Sequence, residues 1–336
     1  MNSSVTAIIL AAGKGTRMKS SKAKVLHQVF FKPMLHHVLD TVHQAAIDHC
    51  VVIVGHQKER VVESLQGYEV TPVVQEEQLG TGHAVLSAES ACRDAGLIMI
   101  LCGDSPLIRP EILTKMIGYH RRSEAGLTLM TTLLDEPFGY GRIISKDDGS
   151  VAAIVEEKDA TAEQRKIREV NAGIYLADRQ FLFSALQGVG TDNAQGEVYL
   201  TDIVAIANDK GIGVGKFVHP AAIDVLGINS RLELAQAHRE LQMRRNRELM
   251  LDGVTMYDPA TTLVAPTVSL GRDCILYGGV QITGRSTLGS SCILEPGVCL
   301  HDVCTADEVF IGANSVLHNC QLERAEHIVP LTYRVG

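Results

Sequence analysis

The sequence lacks three features that would each have indicated a functional class. It has no apolar run near the roughly 18 residues of a membrane span, and its N-terminus has no signal-peptide pattern. It has no CxxC pair and no cysteine and histidine grouping with metal-ligand spacing. Its formal net charge is −8, which argues against a general nucleic-acid binder. These absences predict a cytoplasmic protein whose eight cysteines are reduced thiols.

The N-terminal part of the chain alternates strand and helix patterns. At 336 residues, the chain is long enough for a large core and a second module. Continuous apolar strands alternating with helices are typical of a mostly parallel, Rossmann-like sheet covered on both faces. We therefore predict an α/β domain over residues 1–229. Because ligands bind at the carboxyl ends of such strands, the loops after residue 10, over 75–81 and at 103–104 should meet in one crevice.

The C-terminal part carries a six-residue repeat, which we assign to residues 253–336 after a charged helical arm over 230–252. Apolar residues recur at intervals of six, at Leu270, Leu276, Ile282, Leu288, Leu294 and Leu300. A sustained period of six predicts a parallel β-helix whose coils have three short faces. We expect the phase to shift at a break at Ala306 and the repeat to fail near residue 325.

The first strand pattern runs directly into a basic, glycine-containing loop, Ala12-Gly13-Lys14-Gly15-Thr16-Arg17-Met18, followed by Lys24. Glycines let backbone N–H groups approach a ligand, and the cations supply charge for phosphates. The spacing is not that of a Walker A loop, and Met18 replaces the third glycine of a dinucleotide fingerprint. An ordinary turn with solvated charges is the alternative, but two glycines and the cations Lys14, Arg17 and Lys24 fall within twelve residues.

This loop resembles the signature L-x-x-G-x-G-T-R-[ML], followed by a lysine, of the sugar-1-phosphate nucleotidyltransferases. Over residues 5–325 the chain resembles the uridylyltransferase half of the bacterial bifunctional enzymes that also acetylate glucosamine 1-phosphate. The resemblance implies Mg²⁺-dependent uridylyl transfer from UTP to N-acetylglucosamine 1-phosphate, giving UDP-N-acetylglucosamine for cell-envelope precursors and pyrophosphate. It also implies that the β-helix is left-handed and supports a homotrimer.

Two cations and a set of loop residues are implied to hold the nucleotide. The resemblance assigns Arg17 to the departing phosphates and Lys24 to the reacting phosphates, in keeping with a guanidinium fork and a lysine point charge. The nucleotide-binding residues that it implies are Leu10, Ala11, Gly13, Gly15, Gln75, Gly80 and Thr81. Thr81 is also compatible with a helix cap. His83 is given a structural role, because a phosphate acceptor is already an anion and needs no base.

Asp104 and Asn229 are the implied Mg²⁺ ligands. Asp104 follows an apolar strand in Leu101-Cys102-Gly103-Asp104, and the family pairs it with the asparagine of Gly227-Ile228-Asn229-Ser230-Arg231. Hard oxygen ligands of this kind suit Mg²⁺. Read alone, Asp104 would be a turn residue or helix cap, and Asn229 the N-cap of the following helix. The chain departs from the family at Cys102, where an aromatic residue is common.

Recognition of the acceptor sugar is implied by four segments within residues 138–202. The resemblance assigns this role to Gly141, Glu156, Asn171, Tyr199 and Thr201. Each of these residues read singly is equally well a surface polar group. The occurrence of the four segments in the family's order supports the set.

Two other functions stay open at this stage. One is a nucleotidyltransferase for another sugar phosphate or nucleotide, and the other is a catalytically idle regulatory or assembly subunit that keeps the fold. The intact set of Arg17, Lys24, Asp104 and Asn229 argues against an idle subunit. We expect acetyltransferase activity to be absent, because the repeat is short and the histidines at 301, 318 and 327 lie outside the family's acetyltransferase motifs.

Overall fold

The computed structural model describes residues 4–336, which divide into two compact units with the boundary between Leu234 and Ala235. The strands of the first unit are β1 Val5–Ala11, β2 Gln28–Val29, β3 Lys32–Pro33, β4 His49–Val54, β5 Thr71–Val74, β6 Leu97–Cys102, β7 Leu127–Leu133, β8 Arg142–Ser145, β9 Val151–Val155, β10 Glu169–Asp178 and β11 Val214–Val218. The helices of the first unit are α1 Met34–Gln44, α2 Lys58–Ser64, α3 Thr81–Ser87, α4 Pro110–Ser123, α5 Arg179–Leu186, α6 Ile203–Asp209 and α7 Ala222–Val225, and α8 Arg231–Leu251 crosses the boundary. The boundary falls within the predicted arm, and the bounds of the three predicted segments stay a prediction.

The first unit is built on a nine-stranded sheet with the main order β11-β7-β10-β6-β1-β4-β5. Neighbouring strands on this path are parallel except where β10 pairs with β6 and β7. The hairpin of β8 and β9 joins the sheet through the pairing of β8 with β10. The mostly parallel α/β fold predicted from the sequence is therefore confirmed.

Both faces of the sheet are covered, as the apolar runs predict. In β1, Ala7 and Ile9 belong to one core and Ile8 belongs to the other. Helices α1, α2 and α4 pack on the first face, and α3, α5 and α6 pack on the second. Because neither face meets water, these strands are apolar at consecutive positions instead of alternating.

The loops that follow the central strands meet at one edge of this sheet. The backbone N–H of Gly103 donates to Leu10 O at 2.9 Å, which joins the ends of β6 and β1. The N–H of His56 donates to Ala12 O at 3.1 Å, which joins the loops after β4 and β1. The carboxyl-edge crevice expected for such a sheet is therefore formed by these loops.

The second unit is a three-faced stack of short parallel strands. Its strands are β12 Thr255–Met256, β13 Leu263–Val264, β14 Ser269–Leu270, β15 Ile275–Leu276, β16 Gln281–Thr283, β17 Thr287–Leu288, β18 Ile293–Leu294, β19 Cys299–His301, β20 Cys304–Thr305, β21 Phe310–Ile311, β22 Val316–His318, β23 Gln321–Leu322, β24 His327–Ile328 and β25 Tyr333–Val335. Every third strand belongs to the same sheet, so successive coils lie on one another. The predicted β-helix is confirmed.

The coils shorten by one residue partway along the stack. Gln281 pairs with Cys299, a spacing of 18 residues, whereas Thr287 pairs with Cys304, a spacing of 17. The phase change therefore precedes Ala306, where the sequence placed the break. One residue is removed from the turn between Leu300 and Thr305, and both of these side chains remain buried.

The repeat also extends further than the sequence indicated. Phe310 pairs with His327 and Val316 pairs with Tyr333, so the expected failure near residue 325 is wrong. The pattern was missed because the last strand, β25, is exposed and has no run of buried apolar residues. Strand pairing continues there through backbone hydrogen bonds, such as the one from Val316 N to Thr332 O at 2.8 Å.

Candidate active site

Arg17, Lys24, Asp104 and Asn229 meet in one cluster. Arg17 Nη2 and Lys24 Nζ both donate to Asn229 Oδ1, at 2.8 and 2.6 Å. Lys24 also forms a salt bridge with the carboxylate of Asp104. The four residues come from three distant segments, so their meeting is a product of the fold and not of local sequence.

Two glycines allow these segments to approach so closely. Gly15 has φ +60°, and a Cβ atom there would lie 2.5 Å from Lys24 Cβ. A Cβ atom at Gly227 would lie 2.8 Å from Asp104 Oδ1. The N–H of Ile228 donates to Asp104 O at 2.8 Å, which ties the segment of Asn229 to the end of β6. Side chains at these two glycines would force the cluster apart.

The start of α8 directs Asn229 toward the cluster. Ser230 Oγ accepts a hydrogen bond from Glu233 N at 3.2 Å, and the Glu233 carboxylate accepts one from Ser230 N at 2.8 Å. This reciprocal pair is a capping box with Ser230 as the N-cap. The reading of Asn229 as the N-cap is therefore wrong. Its amide nitrogen instead donates to Gly227 O at 2.9 Å, which turns Oδ1 toward the two cations.

The cluster fits a single hard divalent cation. Within residues 4–336, no group of three or more His, Cys, Asp or Glu side chains has the arrangement of a metal site. The candidate donors are one Asp104 carboxylate and the Asn229 amide oxygen, and both contact the same atom, Lys24 Nζ. Their oxygens thus already converge on a positive charge. Mg²⁺ commonly takes one or two protein ligands and completes its shell with phosphate and water.

Gln75, which is predicted to bind the nucleotide, is oriented by His83. The Gln75 side chain is buried, and its Nε2 donates to Gly80 O and to His83 Nδ1, each at 3.1 Å. Because Nδ1 accepts this hydrogen bond, the network assigns the His83 proton to Nε2. His83 therefore fixes the donor end of the amide, in keeping with the structural role expected for it.

Thr81 does not cap α3. Gly80, at φ +111°, occupies the N-cap position, and no side-chain cap is formed there. The Thr81 hydroxyl instead accepts a hydrogen bond from Leu200 N at 3.2 Å. The N–H of Gly82 donates to Val198 O at 2.8 Å, so the predicted uracil segment is bound directly to the predicted sugar segment.

The remaining residues predicted to bind the nucleotide lie along the end of β1 and its loop. Leu10 O accepts the hydrogen bond from Gly103, and Ala11 is buried in the sheet. A Cβ atom at Gly13 would meet nothing within 4 Å, so its backbone faces open space. Gly13 is thus accessible to a ligand, whereas Gly15 is required by the packing of Lys24.

The predicted acceptor residues form an acidic pocket. The N–H of Asn171 donates to Gly141 O at 2.9 Å, and a Cβ atom at Gly141 would lie 3.4 Å from both Glu156 carboxylate oxygens. Burial raises the pKa of Glu156 above its usual range, and nearby aspartates add to this effect, while the neighbouring Thr201 hydroxyl lowers it. Thr201 Oγ1 is buried beside the Glu156 carboxylate. Tyr199 Oη, by contrast, donates to Asp159 at 3.2 Å.

A bulge in β10 shapes the pocket beside Asn171. The register of β10 against β7 shifts between Asn171 and Tyr175, and Asn171 Oδ1 accepts from Gly173 N at 3.0 Å. Cys102 lies against the bulge, with Sγ 3.7 Å from Gly173 O, and burial raises the pKa of its thiol to about 12. This thiol is therefore an inert packing group where the family often has an aromatic ring.

Sequence reasoning missed three residues beside the site: Tyr140, Arg142 and Glu157. Burial raises the pKa of Tyr140 to about 12, the Glu233 and Asp104 carboxylates add to the rise, and Arg17 opposes it. The Tyr140 phenol therefore lies among groups of the cluster. Arg142 is buried beside two isoleucines at the start of β8, and this unusual placement of an arginine was the available signal.

Comparison with family models matches residues 7–169 to the MobA-like NTP transferase domain. The chain is 48% identical over 325 residues to the bifunctional protein GlmU of Desulfotalea psychrophila, covering 96% of this chain and 95% of that relative. It is 51% identical over 300 residues to the GlmU of Geobacter metallireducens, covering 88% and 63%. It is 43% identical over 328 residues to the GlmU of Halalkalibacterium halodurans, covering 97% and 72%. The chain belongs to the GlmU family.

This membership confirms the predicted resemblance and the nucleotidyltransferase domain in the first unit. The chain spans nearly all of the Desulfotalea GlmU but 63% of the Geobacter GlmU, which is less than two thirds of that relative's length. Both relatives are named bifunctional. The expectation that acetyltransferase activity is absent therefore has no support, because the hexapeptide β-helix is present in this GlmU-family chain.

Two further observations concern membrane-spanning helices and the state of the cysteines. Helices long and apolar enough to cross a membrane are absent from residues 4–336. All eight cysteines are free thiols, and four of them are buried in the described structure. The reduced cysteines expected from the sequence agree with this arrangement.

Proposed function

We propose that this chain transfers a uridylyl group from UTP to N-acetylglucosamine 1-phosphate, giving UDP-N-acetylglucosamine and pyrophosphate. The observation that carries the proposal is the meeting of Arg17, Lys24, Asp104 and Asn229 at the crevice of a nucleotidyltransferase domain. Family membership supports the same chemistry. The identities of the nucleotide and the sugar are part of the proposal.

The reaction is a single displacement at the α-phosphorus of the nucleotide. A phosphate oxygen of the acceptor forms a bond to this phosphorus while the bond to the β-phosphate oxygen breaks, and pyrophosphate leaves with the electron pair. Catalysis then consists of holding the groups in line and neutralising the charge that builds on them. We assign the departing phosphates to Arg17 and the reacting phosphates to Lys24. The acceptor phosphate is already an anion, so no general base is needed.

Asp104 and Asn229 are the residues that would hold Mg²⁺. When bound, the ion supplies charge neutralisation to the phosphate oxygens. In this structure Lys24 contacts both candidate ligands, so the proposal requires Lys24 to leave them when the metal is bound. Its ammonium group is then available to a substrate phosphate.

Separate groups recognise the base and the sugar. Gln75, with its amide oriented by His83, is proposed to read the uracil edge together with Gly80 and Thr81. Glu156, Asn171 and the other predicted acceptor residues are proposed to bind the hydroxyl and acetamido groups of the sugar. The position of the buried Thr201 hydroxyl beside the Glu156 carboxylate supports this assignment, since the two polar groups lie together.

A substrate panel tests the proposal. The purified chain is given each combination of four nucleoside triphosphates and several sugar 1-phosphates, and pyrophosphate release is measured with and without Mg²⁺. We expect the highest turnover with UTP and N-acetylglucosamine 1-phosphate, dependent on Mg²⁺. Preference for another pair would make the chain a different nucleotidyltransferase, and nucleotide binding without any turnover would favour an idle subunit.

A second candidate activity is acetyl transfer to glucosamine 1-phosphate. It is favoured by the bifunctional name of a relative that this chain covers to 95%, and by the presence of the β-helix. Release of free coenzyme A from acetyl-CoA and glucosamine 1-phosphate is the direct assay. Release that survives Asp104→Ala would establish an independent second site, whereas background release would uphold the absence expected from the sequence.

The cellular location and the oligomeric assembly of the enzyme are also proposals. Eight unpaired cysteines fit a reducing compartment, which supports a cytoplasmic location. Assembly into a homotrimer through the β-helix stays a prediction.

A further inference from the structure

We propose that Arg142 and Glu157 form a positioning clamp that fixes the loop over residues 137–141. This loop lies between the cluster that contains Arg17 and the pocket of the predicted acceptor residues. Neither Arg142 nor Glu157 is among the residues predicted to touch substrate. The inference rests on the proposed function, because it assigns a role in binding the acceptor of that reaction.

The clamp holds the loop at two consecutive backbone positions. Arg142 Nη1 donates to Tyr140 O, and Arg142 Nη2 donates to Glu157 Oε2 at 2.7 Å. The same Oε2 atom accepts a hydrogen bond from Gly139 N at 3.1 Å. One carboxylate oxygen thus joins the guanidinium group to the loop, and charge-assisted hydrogen bonds of this kind are stronger than neutral ones.

The loop connects the two halves of the candidate site. At one end, the Cβ position of Gly139 is 3.8 Å from Arg17 Nη1. At the other end, Gly141 O accepts the hydrogen bond from Asn171, and Gly141 lies against the Glu156 carboxylate. A shift of the loop would therefore displace acceptor groups on one side and disturb the surroundings of Arg17 on the other.

The burial of Arg142 indicates a role beyond strand formation. Its side chain is 2% exposed, that of Glu157 is 19% exposed, and Arg142 Nε is buried without a hydrogen-bond partner in the described residues. An apolar residue would fill this strand position without the desolvation cost of a guanidinium group. Gly139, at φ +85°, also gives the loop freedom that the clamp removes.

Arg165 provides a matched control, because it contacts the same carboxylate without contacting the loop. Its Nε lies 3.6 Å from Glu157 Oε1, and its side chain is 50% exposed. The contact that it makes with Arg142 uses its backbone oxygen, which a substitution retains. Arg165→Gln therefore removes a cation from Glu157, together with hydrogen bonds from Nε and Nη2 to Glu157 O at 3.4 Å, while the hydrogen bonds that Glu157 Oε2 accepts from Arg142 and Gly139 remain.

The test compares Glu157→Gln, Arg142→Lys and Arg165→Gln by steady-state kinetics and thermal unfolding. We expect Glu157→Gln to raise KM for N-acetylglucosamine 1-phosphate about tenfold, as for the loss of one charge-assisted hydrogen bond, with KM for UTP nearly unchanged. Arg142→Lys keeps the charge but lacks the fork, so it should give a smaller rise. Arg165→Gln should leave both KM values at wild type.

Hydrogen exchange gives a second readout that does not depend on turnover. The amide of Gly139 should exchange faster in Glu157→Gln than in wild type or Arg165→Gln. Unchanged exchange, or equal rises in KM for both substrates, would overturn the clamp, as would a lowered melting temperature with normal kinetics. Wild-type protein without turnover on any substrate pair would contradict the proposed function, and the exchange measurement would still decide the clamp.

Discussion

The two units of this chain encode their structures in different ways. In the β-helix, inward residues such as Leu276, Ile282 and Leu294 are buried at fixed intervals, and each coil pairs with the next. In the nucleotidyltransferase unit, the decisive contacts join Arg17 and Lys24 to Asn229, which are 212 and 205 residues apart. Periodicity therefore specifies the architecture of one unit, while the site of the other depends on the whole fold. Substitutions should separate the two: those in the cluster should affect catalysis, and those in the coils should affect stability.

The largest effect is expected from the cations of the cluster. Lys24→Met and Arg17→Met should each lower kcat by about 10²–10³-fold, because preorganised charge acts mainly on the transition state. The free energy of unfolding should change little, since both contacts lie at the crevice. The measurement is steady-state kinetics beside chemical denaturation. A change confined to KM would instead indicate uniform binding and would contradict the assigned role.

A smaller effect is expected at the capping box that orients Asn229. Ser230→Ala should cost about 0.5–2 kcal/mol of stability, as for other N-cap losses, and should also lower activity because the preceding Asn229 is released. The comparison is with Ser290→Ala, at a turn of the β-helix far along the chain, whose side chain caps no helix. Equal activity in the two variants would show that the cap does not position Asn229.

Substitutions in the coils of the β-helix should change stability and leave catalysis unchanged. Ile311 is fully buried in the β-helix, and Ile311→Val should lower the free energy of unfolding by about 0.5–1.5 kcal/mol. Val329→Ala, at an exposed position of the same stack, serves as the control and should be nearly neutral. Both variants should keep wild-type kinetics for uridylyl transfer below the unfolding temperature. A loss of turnover in Ile311→Val alone would weaken the contrast between the units.

The smallest expected effect is a pH dependence of stability at Glu157. Burial alone would raise the pKa of Glu157, but hydrogen bonds from Arg142 and Gly139 hold this pKa below its usual value of 4.5. A lowered folded pKa means that the stabilisation is present above the unfolded value and is lost as the pH falls through the folded value. The difference in unfolding free energy between wild type and Glu157→Gln should therefore narrow on acidification below pH 4.5. A constant difference would show that the carboxylate charge is not used in the folded state.

Much of the fold is predictable from the sequence because local patterns dictate it. The apolar segments that alternate with helices predict the mostly parallel sheet, and the six-residue repeat predicts the stacked coils. The sequence pattern predicts the phase change at Ala306, just beyond Thr305. The missing residue belongs to a turn, where the pattern of buried positions gives no signal. The exposed strand at 333–335 was missed because its pairing uses backbone groups, which leave no side-chain pattern.

The candidate site was reached through motifs of the family, not through spacing. The strand pattern predicts that the loops carrying Arg17 and Asp104 meet, whereas it gives no sign that Asn229 joins them, as it does in the structure. The structure also adds groups that motifs omit, such as the Ser230 cap and the Arg142 and Glu157 pair. These residues act on backbone atoms of other segments, and contacts of that kind depend on tertiary structure.

The most direct test follows the α-phosphorus of the nucleotide. UTP labelled at this phosphorus is incubated with N-acetylglucosamine 1-phosphate, Mg²⁺ and either wild-type protein or Asp104→Asn. The account predicts that wild-type protein transfers the label into UDP-N-acetylglucosamine, with unlabelled pyrophosphate released, and that Asp104→Asn transfers almost none. Label recovered as UMP, or transfer by Asp104→Asn at the wild-type rate, would contradict uridylyl transfer at this cluster.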